Sequence, residues 1–148
     1  MLIGIDPILN AEILYVLRAM GHGDEIVIAD GTFPAETVAG RLIHMEAATL
    51  SRMLKAVLSV MPIDNPESDP VVGMEVIGEP DTIVQAHVVI QDQLASLPGK
   101  KIKLVRIERF AFYERAKKAF AVIATGELLF YGNVILSKGS IDLSNSST

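Results

Sequence analysis

A chain of 148 residues fits one domain, long enough to bury most of the surface that its unfolded form exposes. Half of the residues are hydrophobic, 21% are charged, and the mean hydropathy is +0.39, which predicts apolar surface hidden between copies in a homo-oligomer. A net charge of −5 gives no electrostatic reason to seek nucleic acid, the lack of cysteine excludes disulfides and thiolate catalysis, and no apolar run is long enough to cross a bilayer.

The chain begins Met1-Leu2-Ile3-Gly4-Ile5-Asp6, without the basic residues and apolar stretch of an export signal, so the cytoplasm is the expected compartment. Asn10 suits the N-cap of a first helix that runs to Met20, with Ile13, Leu14, Leu17 and Met20 on one face. Gly21 ends it, and Glu25–Ala29 reads as a buried strand. After a loop at Phe33-Pro34, residues 41–45 predict a short strand. A second helix starts at Thr49 or Ser51, carries Leu50, Met53, Leu54, Val57, Leu58 and Met61 as its apolar stripe, and stops at Pro62. Residues 64–70 read as a surface loop and 71–77 as a strand. A helix over 82–97 follows, capped by Asp81, with Ile83, Ala86, Ile90 and Leu94 inward.

Pro98-Gly99-Lys100-Lys101 turns the chain into a strand over 102–107, and a short helix covers 110–118. Residues 120–125 and 128–136 then read as two strands joined by a tight turn at Gly126-Glu127. The tail over 140–148 is polar and expected to fray. Helices and strands alternate throughout, so residues 1–139 are expected to form one three-layer α/β/α domain around a central mixed sheet.

Three clusters carry candidate chemistry. In the first, His22 stands between Gly21 and Gly23 where a helix stops and a strand begins, and Asp30 closes that strand. A histidine after a helix end serves either as a cap on the helix dipole or as a proton carrier. Asp30 is either a turn residue before Gly31 or a ligand contact at the carboxyl end of a strand, and Asp64 needs no explanation in its loop. The second cluster is residues 106–120, where Arg109 and Tyr113 lie one helical turn apart and share a face. A guanidinium beside a phenol suits a polyhydroxylated ligand; alternatively, Phe110, Phe112 and Tyr113 are packing anchors. The third is Tyr131-Gly132-Asn133, within an otherwise apolar run. Glycine there marks close approach of a ligand or another backbone, and Asn133 needs a hydrogen-bond partner.

Other chemistries are set aside. His22, His44 and His87 lack metal-ligand spacing, and His87 falls on a helix with a structural role. There is no nucleophile elbow, no P-loop and no dinucleotide fingerprint. Proton transfer on a small polar molecule, without cofactor or metal, is what these residues leave.

Five segments, in this order, resemble the ribose pyranase / L-fucose mutarotase family, and its fucose branch most. They are Met20-Gly-His-Gly-Asp-Glu-Ile26, Asp30 with Phe33-Pro34-Ala35, Arg109-Phe-Ala-Phe-Tyr-Glu-Arg-Ala116, Thr125-Gly-Glu127, and Tyr131-Gly-Asn-Val-Ile-Leu136. The resemblance implies a mutarotase that opens and recloses the ring of a free monosaccharide, with no cofactor. It assigns His22 and Tyr113 as catalytic, and Asp30, Asp64, Arg109, Tyr131, Gly132 and Asn133 as sugar contacts. It also implies a ring-shaped homo-oligomer, commonly a decamer of two pentamers, with sites near subunit contacts. Two departures stand out: fucose-branch sequences carry histidine where this chain has Thr32, and again where it has Glu36. A pyranase acting on ribose and a non-catalytic sugar-binding subunit are the alternative readings.

Overall fold

The computed structural model describes residues 1–144. Helix α1 (Ala11–Ala19) starts where the Asn10 side chain accepts a hydrogen bond from the Ile13 N–H, as its sequence suggests. Strand β1 (Glu25–Ala29) follows, then a single turn α2 (Ala35–Val38) and strand β2 (Leu42–Met45). Thr49 caps α3 (Leu50–Leu58), which ends before Pro62 is reached. A 3-10 turn at Pro66–Ser68 leads into β3 (Val71–Met74). Then come α4 (Gln85–Ala95), β4 (Val105–Ile107), α5 (Arg109–Lys117), β5 (Ala121–Thr125) and β6 (Val134–Ser137).

The strand order across the sheet is β2-β5-β1-β6-β3-β4. The pairs β1·β5, β2·β5 and β3·β4 are parallel, while β6 runs antiparallel to both β1 and β3. Five strands therefore point one way and β6 alone is reversed. All five carboxyl ends lie on the edge of the sheet where β6 begins, and a reversal of this kind opens the crevice in which α/β folds hold ligands.

Alternate residues of each strand face opposite layers. One face, with Ile26, Ile28, Ile123, Val134 and Leu136, packs against α1, α3 and α4 through residues such as Ile13, Leu54 and Ile90. The other, with Val27, Ala29, Val72, Val122 and Ile135, lies under α2 and α5, where Phe112 is fully buried. The three-layer domain with a mixed sheet is thus observed.

Several local expectations are corrected. Residues 120–125 and 128–136 do not form a hairpin, because β5 and β6 flank β1 on opposite sides and never pair with each other. Tyr131-Gly132-Asn133 lies in the loop before β6 rather than inside a strand. Parallel pairing of β5 with β1 forces the chain to cross the carboxyl edge before it returns as β6. Helix α4 starts at Gln85, so Asp81 does not cap it and Ile83 is 64% exposed. Its first turn is held instead by His87, whose Nδ1 accepts from the Val84 N–H at 3.2 Å. The strands expected over 71–77 and 102–107 are shorter than predicted. Of the polar tail over 140–148, residues 145–148 lie outside the described residues.

Candidate active site

At the carboxyl edge the loops after β1, β3 and β4 and the loop before β6 surround a cavity of about 300 Å³. Its wall includes Asp30, Thr32, Phe33, Arg109, Tyr113, Tyr131 and Asn133. Asp30 is 4% exposed, a position at which a carboxylate must be well supplied with donors. Its Oδ1 accepts from the Thr32 N–H (2.9 Å) and the Thr32 hydroxyl (3.0 Å). Its Oδ2 accepts from the Gly132 N–H (3.2 Å) and Asn133 Nδ2 (3.3 Å). The Asp30 N–H donates in return to Asn133 Oδ1 at 2.8 Å. This reciprocal clasp ties the end of β1 to the start of β6.

Gly132 eases that approach, since a Cβ there would crowd the Leu129 carbonyl oxygen at 3.0 Å and the Asp30 Cβ at 3.3 Å. Tyr131 adopts a φ of +61°, a conformation that costs a non-glycine residue free energy. Its hydroxyl accepts a hydrogen bond from the Ile77 N–H at 3.2 Å, so the loop after β3 is braced against the cavity wall.

Helix α5 contributes the remaining groups. Its N-cap is Glu108, whose carboxylate accepts from the Phe110 and Ala111 N–H groups, and those bonds hold the carboxyl below its usual range. Arg109 is therefore the first helical residue, and it projects into the cavity beside Tyr113. The Arg109 guanidinium stacks 4.4 Å from the centre of the Phe110 ring, and its buried Nε has no hydrogen-bond partner. The Tyr113 ring packs edge-on against Phe33 at 5.5 Å and Phe110 at 6.1 Å. The rings fix the tyrosine and leave its phenol at the cavity.

His22 is not there. It lies at the opposite edge of the sheet, separated from Asp30 by the length of β1, about 16 Å at ~3.3 Å per residue. Its Nε2 sits 2.9 Å from Asp64 Oδ1, with side chains 62% and 22% exposed respectively. Asp64 also accepts from the Asn65 N–H at 2.8 Å. The His22 hydrogen bond first, and the Asn65 N–H second, hold the Asp64 carboxyl below its usual range. Of the two glycines beside His22, Gly23 alone has a positive φ, +87°. Gly21 instead donates its N–H to Asp24 Oδ2 at 2.7 Å, closing a tight turn that leaves the imidazole in solvent.

The eight candidates thus fall into two groups. Six (Asp30, Arg109, Tyr113, Tyr131, Gly132 and Asn133) gather at the carboxyl edge, and His22 and Asp64 pair at the amino edge. Sequence reasoning noted Thr32 only as a departure from the fucose branch and passed over Phe33 as a wall for Tyr113 and Ile77 as the donor to Tyr131. The alternative reading of Asp30 as a turn residue before Gly31 is observed as well, since its carboxylate accepts from the Thr32 N–H two residues on. His87 is structural, as read: its Nε2 donates to the Met74 carbonyl oxygen at 2.8 Å. His44 pairs with Glu36 at 2.9 Å and Glu46 at 3.4 Å. Among the described residues no group of three or more His, Cys, Asp or Glu side chains is placed to hold a metal ion.

Comparison with known proteins bears on this geometry. The chain is 41% identical over 148 residues to the fucose mutarotase of Mus musculus, an alignment covering 97% of each chain. It is 44% identical over 144 residues to the fucose mutarotase of Danio rerio, with 93% of each covered. The crystal structure of the fucose mutarotase in complex with L-fucose from Streptococcus pneumoniae superposes with a TM-score of 0.88 at 33% identity, over 95% of this chain and 100% of that one. Residues 3–141 match the model of the RbsD / FucU transport protein family, and the chain belongs to that family.

Proposed function

We propose that the protein is a sugar mutarotase that interconverts the α and β anomers of L-fucose or a close relative. The observation that carries this reading is the cavity in which Arg109 and Tyr113 face the Asp30–Asn133 clasp. It offers a cation, a phenol and hydrogen-bonding groups to one small polar ligand, against an aromatic wall. Membership of the family, and relatives named for this activity, support it. The L-fucose bound to the streptococcal neighbour points to the same sugar class.

Mutarotation is a pair of proton transfers. His22 gives a proton to the ring oxygen as the C1–O5 bond breaks and C1 becomes an aldehyde. The anomeric hydroxyl proton leaves toward the Tyr113 oxygen, which passes its own proton to water, and the Arg109 charge steadies the oxygen that is left. Rotation about C1–C2 presents the other aldehyde face, and closure returns each proton. Histidine suits this role because it exchanges protons near neutral pH. Sugar hydroxyls meet Asn133 and take over the place of the Thr32 hydroxyl on Asp30, and Tyr131 covers an apolar sugar face.

Because His22–Asp64 and the cavity lie at opposite ends of β1, one subunit's pair serves its neighbour's cavity. A head-to-tail contact of that kind closes into a ring when its rotation divides the full circle. We therefore propose a ring-shaped homo-oligomer, a decamer of two pentamers, working in the cytoplasm without cofactor or metal. The test is exchange NMR on a panel of monosaccharides including L-fucose and ribose. Anomer exchange of L-fucose should be accelerated above the buffer rate; an unchanged rate for every sugar overturns the reading. Acceleration of pyranose/furanose exchange of ribose alone would instead favour the pyranase alternative.

A further inference from the structure

Behind the His22–Asp64 pair runs the short segment 137–139, and it holds both partners. On one side the Ser137 carbonyl accepts from the Asp64 N–H at 3.1 Å, and the Gly139 N–H donates to the Pro62 carbonyl at 2.8 Å. On the other side the Lys138 carbonyl accepts from the Gly23 N–H at 2.8 Å, and the Lys138 N–H donates to the Asp24 carbonyl at 2.9 Å. The Lys138 ammonium then reaches past the turn to the last turn of α1. It donates to the carbonyl oxygens of Leu17 and Met20, each at 2.6 Å. One residue thereby grips the chain both before and after His22.

Gly139 sets the opposite side. A Cβ at this position would lie 2.6 Å from the Ile63 carbonyl oxygen and 2.9 Å from the Asp64 Cα. Contacts that short with backbone force the Asp64 segment away from the sheet and from the imidazole. An exposed histidine on a four-residue turn has no packing of its own to fix it, so its direction depends on these anchors.

We infer that Lys138 is a positioning residue for His22, and that together with Gly139 it sets the register of the imidazole against Asp64. The inference rests on the proposed role of His22 in proton transfer. The Lys138 ammonium is spent on the Leu17 and Met20 carbonyls rather than offered to a ligand, so its loss should act on kcat and leave KM in place. A displaced acid of this kind lowers the rate by about tenfold to a hundredfold.

The test compares Lys138→Met with Lys138→Arg, Asp64→Asn and His22→Ala by anomer-exchange NMR across pH, with melting temperatures followed in parallel. Lys138→Met should lose kcat with KM unchanged, and its pH–rate profile should move as that of Asp64→Asn does. Lys138→Arg, which keeps a donor for the two carbonyls, should restore most of the rate. Native kcat in Lys138→Met, or a fallen kcat with the native pH–rate profile, overturns the proposal. Should Lys138→Met fail to fold, Gly139→Ala probes the same register and is expected to show the same profile; a folded Gly139→Ala with native exchange overturns the proposal equally. Full exchange in His22→Ala refutes the assignment of His22 itself, which is a different failure.

Discussion

The two edges of the sheet are built on opposite principles. At the carboxyl edge Asp30, Gly132 and Asn133 are buried and interlocked, and each polar atom of the clasp answers another. At the amino edge His22 stands in solvent with one carboxylate partner, held from behind by backbone and by Lys138. A buried, fully bonded cluster fixes shape and recognises a ligand; an exposed imidazole can take up and release protons with the solvent. A single subunit holds the two groups at opposite ends of β1, and in the function proposed above a neighbour brings them together.

That contrast is open to direct attack. The largest effect is expected from His22→Ala, which should remove the acid's share of the acceleration, roughly 10²–10⁴-fold. Its melting temperature should stay close to native, because the side chain is 62% exposed. A large loss of stability would show that the amino edge is structural after all. The carboxyl edge should behave in the reverse way. Asp30→Ala leaves the Gly132 N–H and the Asn133 amide without their acceptor in a buried site, at a cost of about 1–3 kcal/mol. It should lower the denaturation midpoint and raise KM together. If exchange survives with native KM while stability falls, the clasp is scaffold and the sugar sits elsewhere.

The smallest effect concerns pH and adjoins the cavity. Burial holds His87 below its ordinary value of 6.5, and its ring links the Val84 N–H to the Met74 carbonyl. The unfolded chain therefore binds a proton that the folded chain refuses between the folded and ordinary values. Stability contributed by this residue is complete above pH 6.5 and falls as the pH is lowered beneath it. Thermal melts between neutral and mildly acid pH should show that slope, and His87→Gln should flatten it. An unchanged slope would detach His87 from the acid sensitivity of the loop after β3.

Much of the architecture was legible because it is local. Asn10 and Thr49 cap the helices that their spacing announced, with side-chain oxygens on the Ile13 and Arg52 N–H groups. The continuous apolar run Ile26–Ala29 fills a central strand, buried on both faces. Failures came where a partner distant in the chain decides. His87 took over the start of α4 from Asp81, because its ring also reaches Met74 across the fold. The supposed hairpin around Gly126-Glu127 was read from turn residues alone, and such a pattern does not say which strands pair.

Residue types and spacing by themselves determined the alternating helices and strands, the bare histidine on its glycine-flanked turn, and the Arg109–Tyr113 face of one helix turn. These follow from hydrogen bonds and side-chain periods within a few residues. Only the tertiary structure decided that β6 runs backwards between β1 and β3, which sets Asn133 against Asp30 and leaves His22 at the far edge. Strand pairing joins segments about a hundred residues apart, and its free energy comes from two buried sheet faces at once. No window along the chain contains both.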